Sequence, residues 1–176
     1  TVIDTTSGQV VAHGADHYLT PRDFAHQLAE LGLRYNKARI LVESNNHGHA
    51  VLQKLEDLRY TNLWCMSNGK PWHTSAPSKI RALDSLRERL QARQFKDLPL
   101  ALVAEVRSLR DGGDGHGPSA PPGQKDDRAC SLMFASICAD SLPTPPVLQY
   151  TVVERERRLW QQQQTTTRRY AAPWEQ

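Results

Sequence analysis

The first apolar residues of the chain fall at strand spacing. Val2-Ile3-Asp4 and Gln9-Val10-Val11-Ala12-His13 flank Thr5-Thr6-Ser7-Gly8, a pattern that predicts a hairpin around a glycine-containing turn. Thr20-Pro21 then marks a helix start, with threonine as cap and proline in the first helical position; Phe24, Leu28 and Leu31 continue at helical spacing toward Tyr35. Arg39-Ile40-Leu41-Val42-Glu43 is a short apolar run of the buried-strand type that ends in an acid, followed by Ser44-Asn45-Asn46-His47-Gly48. Val51, Leu52, Leu55 and Leu58 predict a second amphipathic helix, and Asn62 to Met66 another short strand. Hairpin, helix, strand, helix, strand is the order of an α/β fold with a parallel portion.

Gly69, Pro71 and Pro77 make Ser67 to Ser78 a loop, after which Ser78 is placed to cap a third helix carrying Ile80, Leu83, Leu86 and Leu90. Leu98 to Leu109 fits a short helix or a strand. The Gly/Pro-dominated stretch from Asp111 to Gly123 reads as a flexible loop. Asp126-Asp127-Arg128 opens a helix containing Ala129, Leu132, Met133 and Ile137, with both carboxylates in the first turn, where the helix dipole favours them. Beyond Asp140 come Pro143, Pro145 and Pro146, then glutamine and threonine runs, so residues 141–176 read as a polar tail without a packed core.

Composition narrows the class. At 176 residues and 39% apolar the chain suits one domain, and 22 Lys+Arg against 19 Asp+Glu leave only +3, which excludes a strongly basic DNA-coating protein. No apolar stretch approaches a membrane span, and the first residues lack the charged and apolar regions of a signal peptide, so a soluble intracellular chain is expected. A start at Thr1 rather than Met is read as that of a fragment. Cys65, Cys130 and Cys138 form no CxxC pair and are expected as buried or half-buried apolar side chains, the last two on one helix.

Glu43 at the end of a core strand and Asp126/Asp127 at the start of a later helix can meet at one edge of a sheet. Carboxylates without a His/Cys set make a hard-oxygen site suited to Mg²⁺ or Mn²⁺, and two such ions are the apparatus of phosphodiester cleavage. Spacing alone also fits structural caps or solvated charges. His47 and His49, two residues apart at a helix start, do not share a face and suit loop and capping roles. Asn45 and Asn46 are placed either to orient Glu43 or to bond the loop backbone. Trp72, His73 and Lys79 suit a nucleic-acid backbone or, equally, a solvated loop with one packed tryptophan. No GxxxxGK[ST] element occurs, so the chain is not itself an ATP-driven motor of the P-loop class.

Val42-Glu43-Ser44-Asn45-Asn46-His47-Gly48 resembles the V-E-x-N-N-x-G segment of the nuclease domain of phage terminase large subunits, the DNA-packaging motor. The opening hairpin, the Trp72-His73-Thr74-Ser75…Lys79 loop and Gly123-Gln124-Lys125-Asp126-Asp127-Arg128 resemble the same family in the same order, so the resemblance covers residues 1–140. It implies an RNase H-like fold, a mixed sheet flanked by helices. It also implies an endodeoxyribonuclease that cuts concatemeric double-stranded DNA with two Mg²⁺ or Mn²⁺ ions held by Glu43 and by Asp126 or Asp127. Lys79, Lys125 and Arg128 are then candidates for DNA contact, with Asn45 and Asn46 in support. The implied partners are the portal protein, the small terminase subunit and an upstream ATPase domain, in the cytoplasm of a bacterial host carrying the phage or prophage.

Two departures qualify that expectation. The family's first acid belongs on an opening strand that has no counterpart here, since Asp4 matches the turn end of the next strand; strand and acid are expected upstream, leaving the fragment incomplete and weakly active or inactive. Lys125 stands where relatives often carry His, and a protonated ammonium is no metal ligand. Glu105 to Leu109 and the glycine-rich loop loosely resemble the family's hairpin near the active site. A non-catalytic DNA-clamping or portal-docking module is the alternative.

Overall fold

In the computed structural model, residues 1–110, 112 and 117–142 are described. The predicted hairpin is present: β1 (Val2–Asp4) and β2 (Gln9–Ala12) pair antiparallel, with Ile3 opposite Val10 and Asp4 opposite Gln9. Asp4 closes the turn. Its carbonyl accepts the Gly8 N–H at 2.8 Å, and its carboxylate accepts the Ser7 hydroxyl at 2.6 Å and the Thr6 N–H at 2.9 Å. Hydrogen bonding, that of Ser7 foremost, holds this carboxyl below its ordinary pKa.

Helix α1 (Pro21–Arg34) starts where Thr20-Pro21 predicts, the threonine side chain accepting the Asp23 N–H. Helix α2 covers Gly48–Asp57. Helix α3 (Ala76–Gln91) begins earlier than expected, because Ser75 rather than Ser78 is its cap. Ser75 accepts the Ser78 N–H and the Ser78 hydroxyl accepts the Ser75 N–H, a capping box closed around Pro77. The ambiguous stretch resolves as helix α4 (Leu100–Ser108), so Glu105 to Ser108 belongs to a helix and not to a hairpin; an antiparallel bridge follows only at Arg110 and Ser119. Helix α5 covers Asp127–Asp140. The expected tail, 141–176, lies outside the described residues except for Ser141 and Leu142, as does most of the Asp111 to His116 loop.

The predicted strands at Arg39–Glu43 and Asn62–Met66 appear only as isolated parallel bridges, Ile40 with Leu63 and Glu43 with Trp72. The reason is geometric. Ile40 exchanges backbone hydrogen bonds with Asn62 and Trp64 at 3.0 and 2.8 Å, and within four residues Ser44 has already changed partner, its N–H bonding the Trp72 carbonyl at 2.7 Å. Neither pairing lasts long enough to become a ladder. The described residues therefore form a mixed α/β unit with five helices and one two-stranded antiparallel sheet. None of their helices is long and apolar enough to cross a membrane.

Two apolar clusters support this arrangement. Val42, Val51, Leu55 and Tyr60 pack with Ala25 of α1. Trp72, Leu86, Leu102, Leu132 and Met133 join α3, α4 and α5, and Trp72 meets Trp64 edge-on at 5.8 Å and Phe134 at 5.7 Å. Cys130 and Cys138 share α5 as expected, half-buried and buried, whereas Cys65 is exposed, because it lies in a short segment covered by no helix.

Candidate acidic site

Glu43 stands at the end of the extended segment whose middle, Val42, is buried in the first cluster. The next two residues, Ser44 and Asn45, are pinned to the loop before α3. The Ser44 hydroxyl donates to the Trp72 carbonyl at 2.8 Å. The Asn45 side chain closes a two-bond clasp on Thr74, donating to its carbonyl at 2.9 Å and accepting its N–H at 3.0 Å. Asn45 is thus a backbone clasp, one of the two roles open from sequence. Asn46 is exposed with φ +48°, the left-handed turn that brings the chain into α2. The helix enters so close to Glu43 that a Cβ on Gly48 would lie 1.6 Å from the Glu43 carbonyl oxygen; only glycine fits there.

The other side of the site is the loop and first turn of α3. Trp72 is buried, its indole N–H bonding the Thr74 hydroxyl at 3.0 Å, so it is packing and not a surface for bases. His73 is exposed. The Ser78 hydroxyl also bonds the His73 carbonyl at 3.0 Å, and this frame delivers Lys79, whose Nζ lies 2.9 Å from Asp126 Oδ2. Both side chains are largely covered, at 16% and 26% exposure.

Asp126 is the residue preceding α5, and Asp127 is the first residue of that helix and exposed. An aspartate in the capping position ordinarily accepts an N–H from its own first turn. Here it does not. Those donors are taken by Glu105 of α4, whose Oε2 accepts Arg128 N–H at 2.7 Å and Ala129 N–H at 3.2 Å while Oε1 accepts the Arg128 guanidinium at 2.7 Å. Asp126 is left free to face Lys79. Sequence reasoning missed Glu105, a carboxylate on an otherwise apolar segment of undecided type, and that placement was the available signal. Arg128, expected at DNA, is engaged by Glu105; Lys125 is exposed.

Cys130, one turn into α5, reports where the acids meet. Burial pushes its thiol up to about 12; the Lys79 charge opposes this, and the negative charges of Asp126 and Glu43 reinforce it. Glu43 and Asp126 are thus brought to the same thiol from distant parts of the chain. For Lys79 burial works toward a lower pKa, but the hydrogen bond and charge of Asp126, with Cys130, prevail and raise it.

The donor chemistry of Glu43 and Asp126 suits a hard cation, but their number does not suit two. Among the described residues no three His, Cys, Asp or Glu side chains stand close enough together to hold an ion. The Asp126 oxygen nearest Lys79 already carries an ammonium. These residues alone do not make the two-ion site that the sequence resemblance implies. In comparison with known proteins, no family model matches this chain and no curated protein is similar to it at a significant level.

Proposed function

We propose that this chain is the RNase H-like nuclease domain of a viral terminase large subunit, an endonuclease acting on concatemeric double-stranded DNA. The observation that carries the reading is the meeting of Glu43 and Asp126 beside Cys130, since the V-E-x-N-N-x-G and D-D segments that resemble the family contribute those two acids. In this reading the opening strand and remaining carboxylate precede Thr1, and Mg²⁺ or Mn²⁺ binding requires them. Exposed Lys125 and Asp127 border the acids, Lys125 being suited to a DNA phosphate. The portal protein, small subunit and upstream ATPase are the partners this reading assigns, in a phage-infected or prophage-bearing host cell.

A second reading, a DNA-clamping or portal-docking module without catalysis, is favoured by one observation: the Lys79 ammonium neutralises Asp126 in place of a metal. Plasmid nicking in Mn²⁺ separates the two. The chain extended upstream should nick, and Glu43→Gln or Asp126→Asn in it should abolish nicking. An extended chain that binds DNA by fluorescence anisotropy yet never nicks it establishes the clamp; one that neither nicks nor binds refutes both.

A further inference from the structure

The residue that sequence analysis assigned to DNA is turned inward. Lys79 lies in the first turn of α3, and everything around that turn fixes its position: the Ser75–Ser78 capping box, the Ser78 bond to the His73 carbonyl, and the Asn45 clasp on Thr74. Buried Gly117 covers its stem, with an added Cβ there falling 3.7 Å from the Lys79 Cβ. At 16% exposure the side chain is no mobile surface lysine.

Its partner is equally prepared. Glu105 relieves Asp126 of helix capping, so the Asp126 carboxylate is presented to the ammonium at 2.9 Å. Two carboxylates converging in a half-buried place repel each other unless a cation stands with them. A side-chain ammonium supplies one charge and cannot share the carboxylate oxygen it occupies with an incoming ion.

We propose that Lys79 is the built-in counter-cation of the Glu43/Asp126 pair, holding Asp126 in the metal-free protein and competing with divalent cations for it. The inference rests on the reading of these acids as a cation-binding pair. Two isolated carboxylates are poor ligands for Mg²⁺ or Mn²⁺ in water; with an ammonium already on one of them, affinity falls further. A divalent ion must displace the lysine, which is then available to a phosphate near the same acids.

The test uses the 176-residue chain and its variants Lys79→Met, Lys79→Gln, Lys79→Arg and Lys79→Met/Asp126→Asn. Mn²⁺ binding is read from the loss of the free-ion electron paramagnetic resonance signal, and thermal midpoints are taken in EDTA and in Mn²⁺. Lys79→Met and Lys79→Gln should bind Mn²⁺ about tenfold tighter than the parent, the order expected for removing a charge-assisted hydrogen bond at contact distance. They should melt lower in EDTA and recover in Mn²⁺. Lys79→Arg should stay within about twofold of the parent, and adding Asp126→Asn should cancel the gain. Folded Met and Gln variants that bind Mn²⁺ no tighter, while Asp126→Asn still weakens binding, overturn the counter-cation role and leave the acid pair as a cation site. Mn²⁺ binding that ignores Asp126→Asn, or is absent from every variant, overturns both. Variants unfolded in EDTA and in Mn²⁺ alike overturn the inference by making Lys79 purely structural.

Discussion

Gly48→Ala tests whether the approach of α2 to Glu43 sets the position of the acid. A Cβ on residue 48 would lie 1.6 Å from the Glu43 carbonyl oxygen and 2.7 Å from its carbon, so the groups must part by about 1.4 Å to reach even 3.0 Å. Both sides resist. Glu43 is bridged to Trp72 and followed by Ser44 and the Asn45 clasp, while α2 is anchored by buried Val51 and Leu55. Overpacking of this kind costs about 1–3 kcal/mol, and the better helix propensity of alanine returns less than about 1 kcal/mol of it. A net loss of about 1–2 kcal/mol corresponds to a midpoint lowered by roughly 3–8 °C for a domain of this size. The control is Gly14→Ala, where the added Cβ meets nothing within 4 Å and stability should change by less than about 0.5 kcal/mol. Thermal and urea denaturation followed by circular dichroism measure both, and a red shift of tryptophan emission should accompany Gly48→Ala if the strain reaches Trp72. Equal midpoints for Gly48→Ala and the parent would refute the claim that this contact positions Glu43.

Glu105→Ala leaves two amide donors of α5 and the Arg128 guanidinium without their acceptor, and should cost about 1–3 kcal/mol in urea denaturation. Asp140 joins α5 to α3 by accepting Ser85 Oγ at 2.5 Å and Arg89 Nε at 2.9 Å, but it is 47% exposed, so Asp140→Asn should cost only about 0.5 kcal/mol and less in high salt. The Cys130 thiol is raised to about 12 and that of Cys138 to about 11, chiefly by burial, from an ordinary 9.0. Above pH 9 the folded state therefore holds more protons than the unfolded one, and stability should fall with rising pH by up to about 1.4 kcal/mol per unit per thiol. Urea midpoints between about pH 8 and 10 should show a shallower fall in Cys130→Ala/Cys138→Ala, and an unchanged slope would contradict the assignment. At about pH 8, exposed Cys65 should react with a thiol reagent well before Cys138.

The parts of the fold legible in the sequence are those decided by neighbours in the chain. Thr20-Pro21 starts α1 because cap and fixed φ act within one turn, and Gly8 closes the hairpin for a similarly local reason. Short apolar runs carry less information: Ile40 to Val42 reads as a strand, but how far it pairs depends on Leu63 and Trp72, which the run itself does not specify. The first-turn proline of α3 is visible in the sequence, while the choice between Ser75 and Ser78 as cap is settled by which hydroxyl also reaches the His73 carbonyl. Glu43 and Asp126 stand out because the residues around them resemble a family. That Lys79 turns from solvent to Asp126 depends on a helix cap supplied by another helix, a long-range fact without periodicity.

That cap explains how an aspartate in a common structural position becomes chemically free. In the ordinary case an aspartate before a helix is consumed by its own first-turn amides, and its charge is spread into the helix dipole. Glu105 substitutes for it, accepting the Arg128 and Ala129 amides from α4 and anchoring itself with the Arg128 guanidinium. Dipole and donors are satisfied by one carboxylate, and the second is displayed across the gap to α3. The arrangement couples two ion pairs that share no atom. Without Glu105, Asp126 has two vacant amides within its own helix to turn to, and each bond it makes there draws it away from Lys79. The stability of the Lys79 pair is therefore set in α4, and the same tie makes the charge state of the acid pair depend on how α4 packs against α5.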